Sequence, residues 1–343
     1  MSSKPLFKIT DYIEPDLKFE EEECRKLGID FQHAQLRNAG PAELINYCKD
    51  ADIILVNMAL FSPEVIAGLS NTKVVLRHGI GYDKVNVPAM TEHGIVFANE
   101  ATASAVDVAE QAIQLMFATY KKLKIQMNIM QEALGASIWS YKKLLPAYRI
   151  EGKTLGIVGC GNIGSHVARK LKSFGLTIKV CDPYLSEERV AELGVERLPF
   201  EQLLAEADIV TIHTPLNTET RHMFNYDTIK LMKKTAILVN TARGPIVSNE
   251  GLAKALREGL IAGAGLDVSE DEPPQPGNPL IGLENVLMTP HAAWYSEEGG
   301  WDIRYMIMDD VKAFLEGRAP KYVVNKEVLD RPNLRFKSAA VKK

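Results

Sequence analysis

Cysteine is scarce in this sequence, with four residues in a chain of 343. Cys24, Cys48, Cys160 and Cys181 follow neither the spacing of a metal site nor that of a dense disulfide framework. Long apolar runs are also lacking, since no stretch approaches the ~18 uninterrupted residues of a membrane span. The first five residues contain no apolar segment of the kind that a secretory signal needs. These absences predict a cytoplasmic chain that contacts no membrane.

An excess of either charge is missing as well. Lys and Arg number 40 and Asp and Glu number 44, so the net charge is -4 and no nucleic-acid partner is expected. The basic end of the chain, Lys337–Lys343, is a local exception that we interpret as a solvated terminus. The composition, 46% hydrophobic and 24% charged, is typical of globular proteins. The length corresponds to roughly two domains.

Short β-branched runs alternate with helical patterns along most of the chain. This alternation predicts an α/β fold of two doubly wound parallel sheets, each covered by helices on both faces. Helices are predicted over Ala101–Tyr120, over Asn162–Phe174 and after Glu297, and a partly helical stretch over Lys121–Gly152. The predicted strands are Ile53–Val56, Lys73–Leu76, Ile95–Phe97, Thr154–Val158, Thr177–Cys181, Asp208–His213, Ala236–Asn240, Gly263–Leu266 and Val286–Met288.

A glycine motif lies between a predicted strand and a predicted helix. Gly159, Gly161 and Gly164 have the spacing of a dinucleotide-binding turn. In such a turn the first glycine permits the tight bend, the second lets the backbone approach a pyrophosphate, and the third lets helix and strand pack closely. The helix would then present the amides near Asn162 and Ile163 to the phosphate charge.

The next predicted strand ends before Asp182, which discriminates between the two nicotinamide cofactors. A carboxylate accepts hydrogen bonds from the adenine-ribose hydroxyls, and it repels a 2′-phosphate. The following residues, Pro183 and Tyr184, supply no Arg to reverse that preference. The sequence therefore predicts NAD rather than NADP as the cofactor.

Three polar segments follow the later strands of the same predicted sheet: 240–244, 265–273 and 289–294. Ligands of doubly wound sheets bind beyond the carboxyl ends of the strands, so these segments can converge. Arg243 can hold a carboxylate, and His291 can transfer a proton near neutral pH while a nearby acid holds the imidazolium. Each of these residues alone could equally have a structural role. Arg243 could form a surface ion pair, His291 could be a capping or core residue, and the acids at 270–272 could form a solvated turn. Their joint occurrence after a dinucleotide motif favours catalysis.

Taken together, these motifs resemble those of the NAD-dependent D-isomer-specific 2-hydroxyacid dehydrogenases. The resemblance covers about residues 50–325 and includes the glycine motif, Asp182, His213–Leu216, the three polar segments and Pro290-His291. It implies a Rossmann-type NAD-binding domain, residues 103–298, inserted into a flavodoxin-like substrate-binding domain made of residues 1–102 and 299–343. It also implies a homodimer, with a dimerisation arm near residues 121–152.

The resemblance also implies roles for individual residues. Arg243 would bind the substrate carboxylate and carbonyl, His291 would donate the proton and Glu272 would be its partner. The amides of Ile80 and Gly81 would bind the substrate carboxylate, while Asn57, Met58 and Trp294 are candidates for specificity. No metal site is predicted. The positions implied to contact the cofactor are Val108, Gly159, Gly161, Asn162, Ile163, Gly164, Asp182, His213, Thr214, Pro215, Thr241, Ala242 and Asp267.

The implied reaction is the reversible reduction of a small 2-oxo acid to a D-2-hydroxy acid by NADH. The run from His291 to Trp294 resembles a subgroup related to C-terminal-binding protein corepressors, so an NAD(H)-sensing binding protein remains an alternative. A phosphoglycerate dehydrogenase-type enzyme is a further alternative, although residues 56–59 carry no cation and the chain ends at Lys343 without an added regulatory domain. Arg77, His78 or Lys84 would then have to supply charge for the phosphate. Trp294 would pack against an apolar or sulfur-bearing substrate, or else anchor the domains.

Overall fold

The computed structural model describes residues 4–134, 136 and 139–336. The chain divides into two compact units. One contains the described residues up to Ser104 and those from Ser296 onward, and the other contains Ala105–Tyr295. The basic segment Lys337–Lys343 lies outside the described residues.

The first unit contains a parallel sheet with the strand order β2-β1-β3-β4-β5, which is the flavodoxin-like order. Its strands are β1 (Leu6–Ile9), β2 (Asp30–His33), β3 (Ile53–Val56), β4 (Val74–Arg77) and β5 (Val96–Asn99). Its helices are α1 (Lys18–Leu27), α2 (Pro41–Cys48), α3 (Pro63–Ala67), α4 (Val87–Glu92) and α12 (Glu297–Leu315). The late helix α12 is held to α1 by Arg304, which donates two hydrogen bonds to Glu20.

The second unit contains a longer parallel sheet, in the order β12-β11-β10-β9-β6-β7-β8. Its strands are β6 (Thr154–Val158), β7 (Thr177–Cys181), β8 (Glu196–Arg197), β9 (Ile209–Ile212), β10 (Ile237–Asn240), β11 (Gly263–Leu266) and β12 (Val286–Met288). Its helices are α5 (Ala105–Tyr120), α6 (Leu123–Ala133), α7 (Asn162–Leu171), α8 (Glu187–Leu193), α9 (Phe200–Glu206), α10 (Tyr226–Ile229) and α11 (Asn249–Arg257). The predicted α/β class, with two parallel sheets, is confirmed.

Strands β6, β9, β10 and β11 are buried on both faces, which explains why they read as largely apolar runs. Along β10, Ile237 and Val239 pack on the side of α5 and α7, whereas Leu238 packs into the opposite core with residues of α9 and α11. This alternation follows from the two-residue period of a strand. The order of the sheet places β6 and β9 side by side, so a crevice forms beyond their carboxyl ends.

Some predicted boundaries were wrong. The helix predicted from Ala101 begins at Ala105, and only α6 and a 3-10 turn at Lys142–Leu144 are helical within the described part of 121–152. Phe174 was predicted as the last residue of the helix over Asn162–Phe174. It lies instead in a following 3-10 turn, 51% exposed, with its ring against Phe117. Within the described residues, no helix is both long and apolar enough to cross a membrane.

Glu100, directly after β5, is a buried carboxyl group whose two oxygens have no hydrogen-bond partner among the described residues. Burial, together with the charge of Asp310, raises the pKa of Glu100 to about 9. Burial also raises the pKa of Asp310 to about 6. At neutral pH Glu100 therefore carries its proton, which avoids the cost of an unpaired buried charge.

We expect the wild-type protein to lose stability between about pH 5 and pH 8 relative to Glu100→Gln. Folded Glu100 keeps its proton up to about pH 9, whereas unfolding returns its pKa to the ordinary 4.5. Unfolding therefore releases a proton in this window and becomes more favourable as the pH rises. Each pH unit changes the free energy of unfolding by at most ~1.4 kcal/mol, so the loss of stability over three units has an upper limit of ~4 kcal/mol.

Denaturant unfolding of the wild type and of Glu100→Gln, at about pH 5 and about pH 8, measures this difference in stability. Glu92→Gln, which removes an exposed carboxylate at the end of α4, is the matched control and should follow the wild type. An equal stability difference between wild type and Glu100→Gln at both pH values would contradict the prediction.

Candidate active site

The three glycines of the motif meet three different structural requirements. Gly159 has φ +86°, and a Cβ there would lie 2.8 Å from backbone atoms of His213 and Thr214. A Cβ on Gly164 would overlap the carbonyl oxygen of Gly159, so this glycine lets α7 pack on β6. A Cβ on Gly161 would meet no atom within 4 Å. The loop is therefore closed on its protein side and open in front of Gly161.

The open side of Gly161 is also the beginning of α7. Gly161 is the N-cap residue and supplies no side chain to the cap, and Asn162 and Ile163 form the first helical turn. The carbonyl oxygen of Gly161 accepts from Ser165 N at 3.0 Å, which begins the helix. The partial positive charge of this helix end therefore faces an open space, and its sign favours a phosphate there.

Asp182 connects this loop to the end of β7. Its Oδ2 accepts a hydrogen bond from Cys160 N at 2.7 Å, and its Oδ1 accepts one from Tyr184 N at 2.9 Å. The sequence predicted this carboxylate as the ribose-binding group but did not reveal that it also holds the glycine loop. Each carboxylate oxygen has a second lone pair, so both contacts are compatible with hydroxyl donors.

The residues after β9 and β10 form the opposite side of the crevice. His213 is bound through its backbone N to Val158 O at 2.7 Å, and burial lowers the pKa of its imidazole to about 3, so the ring is neutral. Among the described residues, His213 Nδ1 and the buried Thr241 Oγ1 have no hydrogen-bond partner. Buried polar atoms are rarely left unpaired, so these two fit the polar groups of a bound dinucleotide.

Four other predicted cofactor positions surround the same edge of the sheet. Val108 is buried in the first turn of α5, and Pro215 is exposed after β9. Ala242 N donates to Asn240 Oδ1 at 2.9 Å, which turns the chain directly after β10. Asp267 follows β11 and is almost fully buried. Their contacts with a cofactor stay predictions.

His291 and Glu272 form a hydrogen-bonded pair, with Nδ1 2.7 Å from Oε2. The other oxygen of Glu272 accepts from Ser269 N at 3.2 Å. Burial alone would raise the pKa of Glu272, but the bond to His291, that amide and the charge of Arg243 outweigh it and lower the pKa. Glu272 is therefore a carboxylate at neutral pH. Because Nδ1 of His291 is held by this carboxylate, the ring presents Nε2 on its opposite side.

The backbone of His291 lies in the left-handed region, with φ +53°, which residues other than glycine rarely adopt. Asp267 holds it there. Its Oδ1 accepts from Thr289 Oγ1 at 2.5 Å and from Ala292 N at 3.1 Å, and its Oδ2 accepts from Ala293 N at 2.8 Å. The resemblance implied a cofactor contact for Asp267, which stays a prediction, whereas the structure shows that Asp267 organises the loop of His291.

Arg243 lies directly after the turn that follows β10. Asn240 Nδ2 donates to the carbonyl oxygen of Arg243 at 2.9 Å, and Arg243 Nη1 donates to Ala242 O at 2.8 Å. Its positive charge contributes to the lowered pKa of Glu272. The structure thus brings together Arg243, Glu272 and His291 at the carboxyl edge of the second sheet. Trp294 is half-buried after the same loop, with its ring against Tyr295.

The remaining predicted substrate residues lie at the carboxyl edge of the first sheet. Ile80 and Gly81 follow β4, and Asn99 Nδ2 donates to Ile80 O at 2.6 Å. Asn57 follows the adjacent strand β3. The amides of residues 57, 58 and 59 donate to the buried carboxylate of Asp11, at 3.2, 2.6 and 3.3 Å. Asp11 was not predicted from the sequence, because a single acid after a short strand carries no motif.

We predict that Gly161→Ala and Gly164→Ala separate cofactor binding from folding. The Gly161 methyl group would enter the open space, so NADH affinity should fall about tenfold or more while Tm stays close to that of the wild type. The Gly164 methyl group would overlap the Gly159 carbonyl, which should cost about 1–3 kcal/mol of the free energy of unfolding. Fluorescence titration with NADH and thermal unfolding measure the two effects. Unweakened NADH binding by a folded Gly161→Ala variant would contradict the assignment.

Comparisons with known proteins indicate the family to which this chain belongs. Residues 113–293 match the family model of the D-isomer specific 2-hydroxyacid dehydrogenase, NAD binding domain. A glyoxylate reductase of Korarchaeum cryptofilum is 39% identical over 83% of this chain and 86% of its own length. A D-3-phosphoglycerate dehydrogenase of Methanocaldococcus jannaschii is 38% identical over 82% of this chain, which spans about half of that relative, 53%.

Solved structures give the same result for the fold. A glyoxylate reductase from Paecilomyes thermophila superimposes with a TM-score of 0.84 and 27% identity, covering 95% of this chain and 100% of that one. The D-lactate dehydrogenase from Aquifex aeolicus, complexed with NAD and lactic acid, gives a TM-score of 0.80 and 27% identity, covering 94% and 97%. The family model spans just over half of the sequence. The chain therefore belongs to the D-isomer specific 2-hydroxyacid dehydrogenase family, whose NAD-binding domain it contains.

Proposed function

We propose that this protein reduces a small 2-oxo acid to the corresponding D-2-hydroxy acid, reversibly, with NADH as the reductant. The observation that carries the proposal is the 2.7 Å contact between His291 Nδ1 and Glu272 Oε2. This pair lies beside Arg243, at the edge of the sheet that also carries the glycine loop. A proton donor, a cation for a carboxylate and a nucleotide cleft are the parts that this reaction needs.

The chain's own residues account for binding and proton transfer. When bound, the reduced cofactor supplies a hydride for C2 of the substrate, and the glycine loop, the first turn of α7, Asp182 and Thr241 would hold it. Arg243 binds the substrate carboxylate and stabilises the negative charge that develops on the carbonyl oxygen. Protonated His291 donates from Nε2 to that oxygen, while Glu272 stabilises the imidazolium. In the oxidative direction neutral His291 accepts the hydroxyl proton.

The proposed substrates are 2-oxo acids that carry a compact, uncharged group at C2. Relatives named glyoxylate reductase match this chain over most of both lengths, which supports this choice. In the first unit, residues 57–59 contain no cation, and their amides donate to Asp11. The proposed substrate-binding residues there are Asn57, Ile80 and Gly81, and in the second unit Arg243 and Trp294.

A phosphoglycerate dehydrogenase-type activity is the second candidate, and one observation favours it. The guanidinium of Arg77 lies next to Met58, with Nη2 4.0 Å from Sδ, and also beside Gly79. A cation therefore lies near the loop that otherwise lacks one. The 38% identity to the M. jannaschii relative supports this candidate too.

The unit of residues 105–295 is the proposed NAD-binding domain, and the other unit the proposed substrate-binding domain. We also propose a homodimer formed through the arm near 121–152. Helix α6 supports this, because Leu123, Met127 and Met130 are exposed on it at helical spacing. A cytoplasmic location is consistent with the four free cysteines. Residues 291–294 resemble the corepressor-related subgroup, so an NAD(H)-sensing protein is an alternative. The hydrogen-bonded pair of His291 and Glu272 supports catalysis instead.

We expect His291→Ala to lower kcat by about 10²–10⁴-fold, because the developing alkoxide would lose its proton donor. NADH affinity should change little, since the variant leaves the glycine loop intact. His33→Ala, which removes an exposed imidazole in β2, is the control and should keep wild-type turnover. Unchanged turnover in His291→Ala would refute the role of this residue.

NADH oxidation against a panel of 2-oxo acids tests the function itself. The panel contains glyoxylate, hydroxypyruvate, phenylpyruvate, 4-methylthio-2-oxobutyrate and phosphohydroxypyruvate. The highest kcat/KM for glyoxylate or hydroxypyruvate is the expected outcome. A clear preference for phosphohydroxypyruvate would favour the second candidate. Tight NADH binding without turnover of any compound would favour the sensor.

A further inference from the structure

A second histidine–carboxylate pair lies in the same unit as His291 and Glu272. His222 Nε2 is 2.5 Å from Glu270 Oε1. Glu270 and Glu272 are two residues apart, so one short segment, 269–272, holds both histidines through its acids. Neither His222 nor Glu270 has a part in the chemistry proposed above.

The second oxygen of Glu270 contacts another element. Oε2 accepts from Asn249 N at 2.6 Å, and Asn249 is the first residue of α11. A carboxylate is favoured at a helix N-terminus, where amide hydrogens have no partner within the helix. Helix α11 begins shortly after Arg243, with only a 3-10 turn, Gly244–Ile246, and two residues between them. Glu270 therefore joins its own segment to the segment of the substrate-binding arginine.

The backbones of these segments touch as well. A Cβ on Gly244 would overlap Ser269 O, so the residue after Arg243 packs directly on the segment of Glu272. On the other side, His222 N donates to Pro245 O at 2.9 Å and Phe224 N donates to Ile246 O at 3.1 Å. Three segments thus lie side by side, and the side chain of Glu270 contacts both of the other two.

His222 lies on a turn whose backbone is in the left-handed region. Its φ is +52°, in the region that favours glycine, and Asn225 Nδ2 donates to its carbonyl oxygen at 3.1 Å. Residues other than glycine adopt this region rarely, and histidine is one of the few residue types enriched there. The turn places the imidazole where it hydrogen-bonds to Glu270.

We propose that Glu270 is a positioning residue for the proposed 2-oxo acid reduction. By binding His222 and the beginning of α11, it holds segment 269–272 against the turn of Arg243, so that Glu272 meets both His291 and the charge of Arg243. Glu270 contacts neither substrate nor cofactor in this proposal. The expected loss of kcat rests on the proposed function. The expected change in the contact between His291 and Glu272 does not.

Glu270→Ala, Glu270→Gln and Asp271→Asn test the proposal. We expect Glu270→Ala to lower kcat about 10- to 100-fold, the scale of a misplaced catalytic group, with the KM for NADH and Tm changed little. Glu270→Gln should restore most of kcat, because its amide oxygen can accept from Asn249 N and its amide nitrogen can donate to His222. Asp271→Asn removes an exposed acid between the two glutamates and should match the wild type.

Crystal structures of the same variants give a readout that does not depend on turnover. In Glu270→Ala the contact between His291 Nδ1 and Glu272 Oε2 should open beyond about 3.5 Å, and in Glu270→Gln it should stay near the 2.7 Å of the wild type. An unaltered contact and kcat in Glu270→Ala would overturn the proposal. So would parallel losses of Tm, NADH binding and kcat that Glu270→Gln fails to restore. A wild type without turnover, combined with an opened contact in Glu270→Ala, would refute the proposed function and leave the positioning role supported.

Discussion

The hydrogen bond between His291 and Glu272 depends on the backbone that carries each partner. Both side chains are about one-third exposed, and an ion pair in contact with water contributes little on its own. The geometry of the pair is therefore maintained by other residues, which bind the backbone of His291's loop and the side chain of Glu272. Asp267 holds the loop of His291 in a left-handed conformation through three hydrogen bonds, and Ser269 N binds the second oxygen of Glu272. The proposed chemistry therefore depends on buried polar contacts that keep two partly exposed groups in place.

The fold could be predicted from the sequence wherever both faces of a strand are buried. The ranges Ile53–Val56, Thr154–Val158 and Val286–Met288 agree with β3, β6 and β12, because short apolar runs that contain β-branched residues are typical of buried strands. Strands β1, β2 and β8 were missed, since each contains charged residues. In β1, Lys8 is buried and binds Asp50, a partner 42 residues away. No local pattern reveals a charge that is neutralised by a residue so distant in the chain.

The candidate site, like the fold, could be predicted from the sequence only in part. Arg243, Glu272, His291 and the glycine loop were found because their chemical type and spacing form motifs, and the structure brings the first three together. Asp11, the loop-holding contacts of Asp267 and the pairing of Glu270 with His222 were not found. Each is an acid that binds the backbone or the side chain of a remote segment, and such contacts exist only after folding. The helix over Asn162–Phe174 was predicted too long because the helical period was continued one turn past Leu171.

Asp182 gives the proposed preference for NAD over NADP a structural basis beyond repulsion of a phosphate. The carboxylate that we propose binds the ribose also accepts a hydrogen bond from the amide of Cys160 and thereby ties the glycine loop to the end of β7. In this proposal, discrimination between the two coenzymes and the shape of the proposed pyrophosphate cradle both depend on one side chain. An engineer who exchanges it for a small neutral residue to admit NADP would also loosen the cradle. Conversion of coenzyme choice in this scaffold therefore requires a second substitution that supplies a new acceptor for that amide.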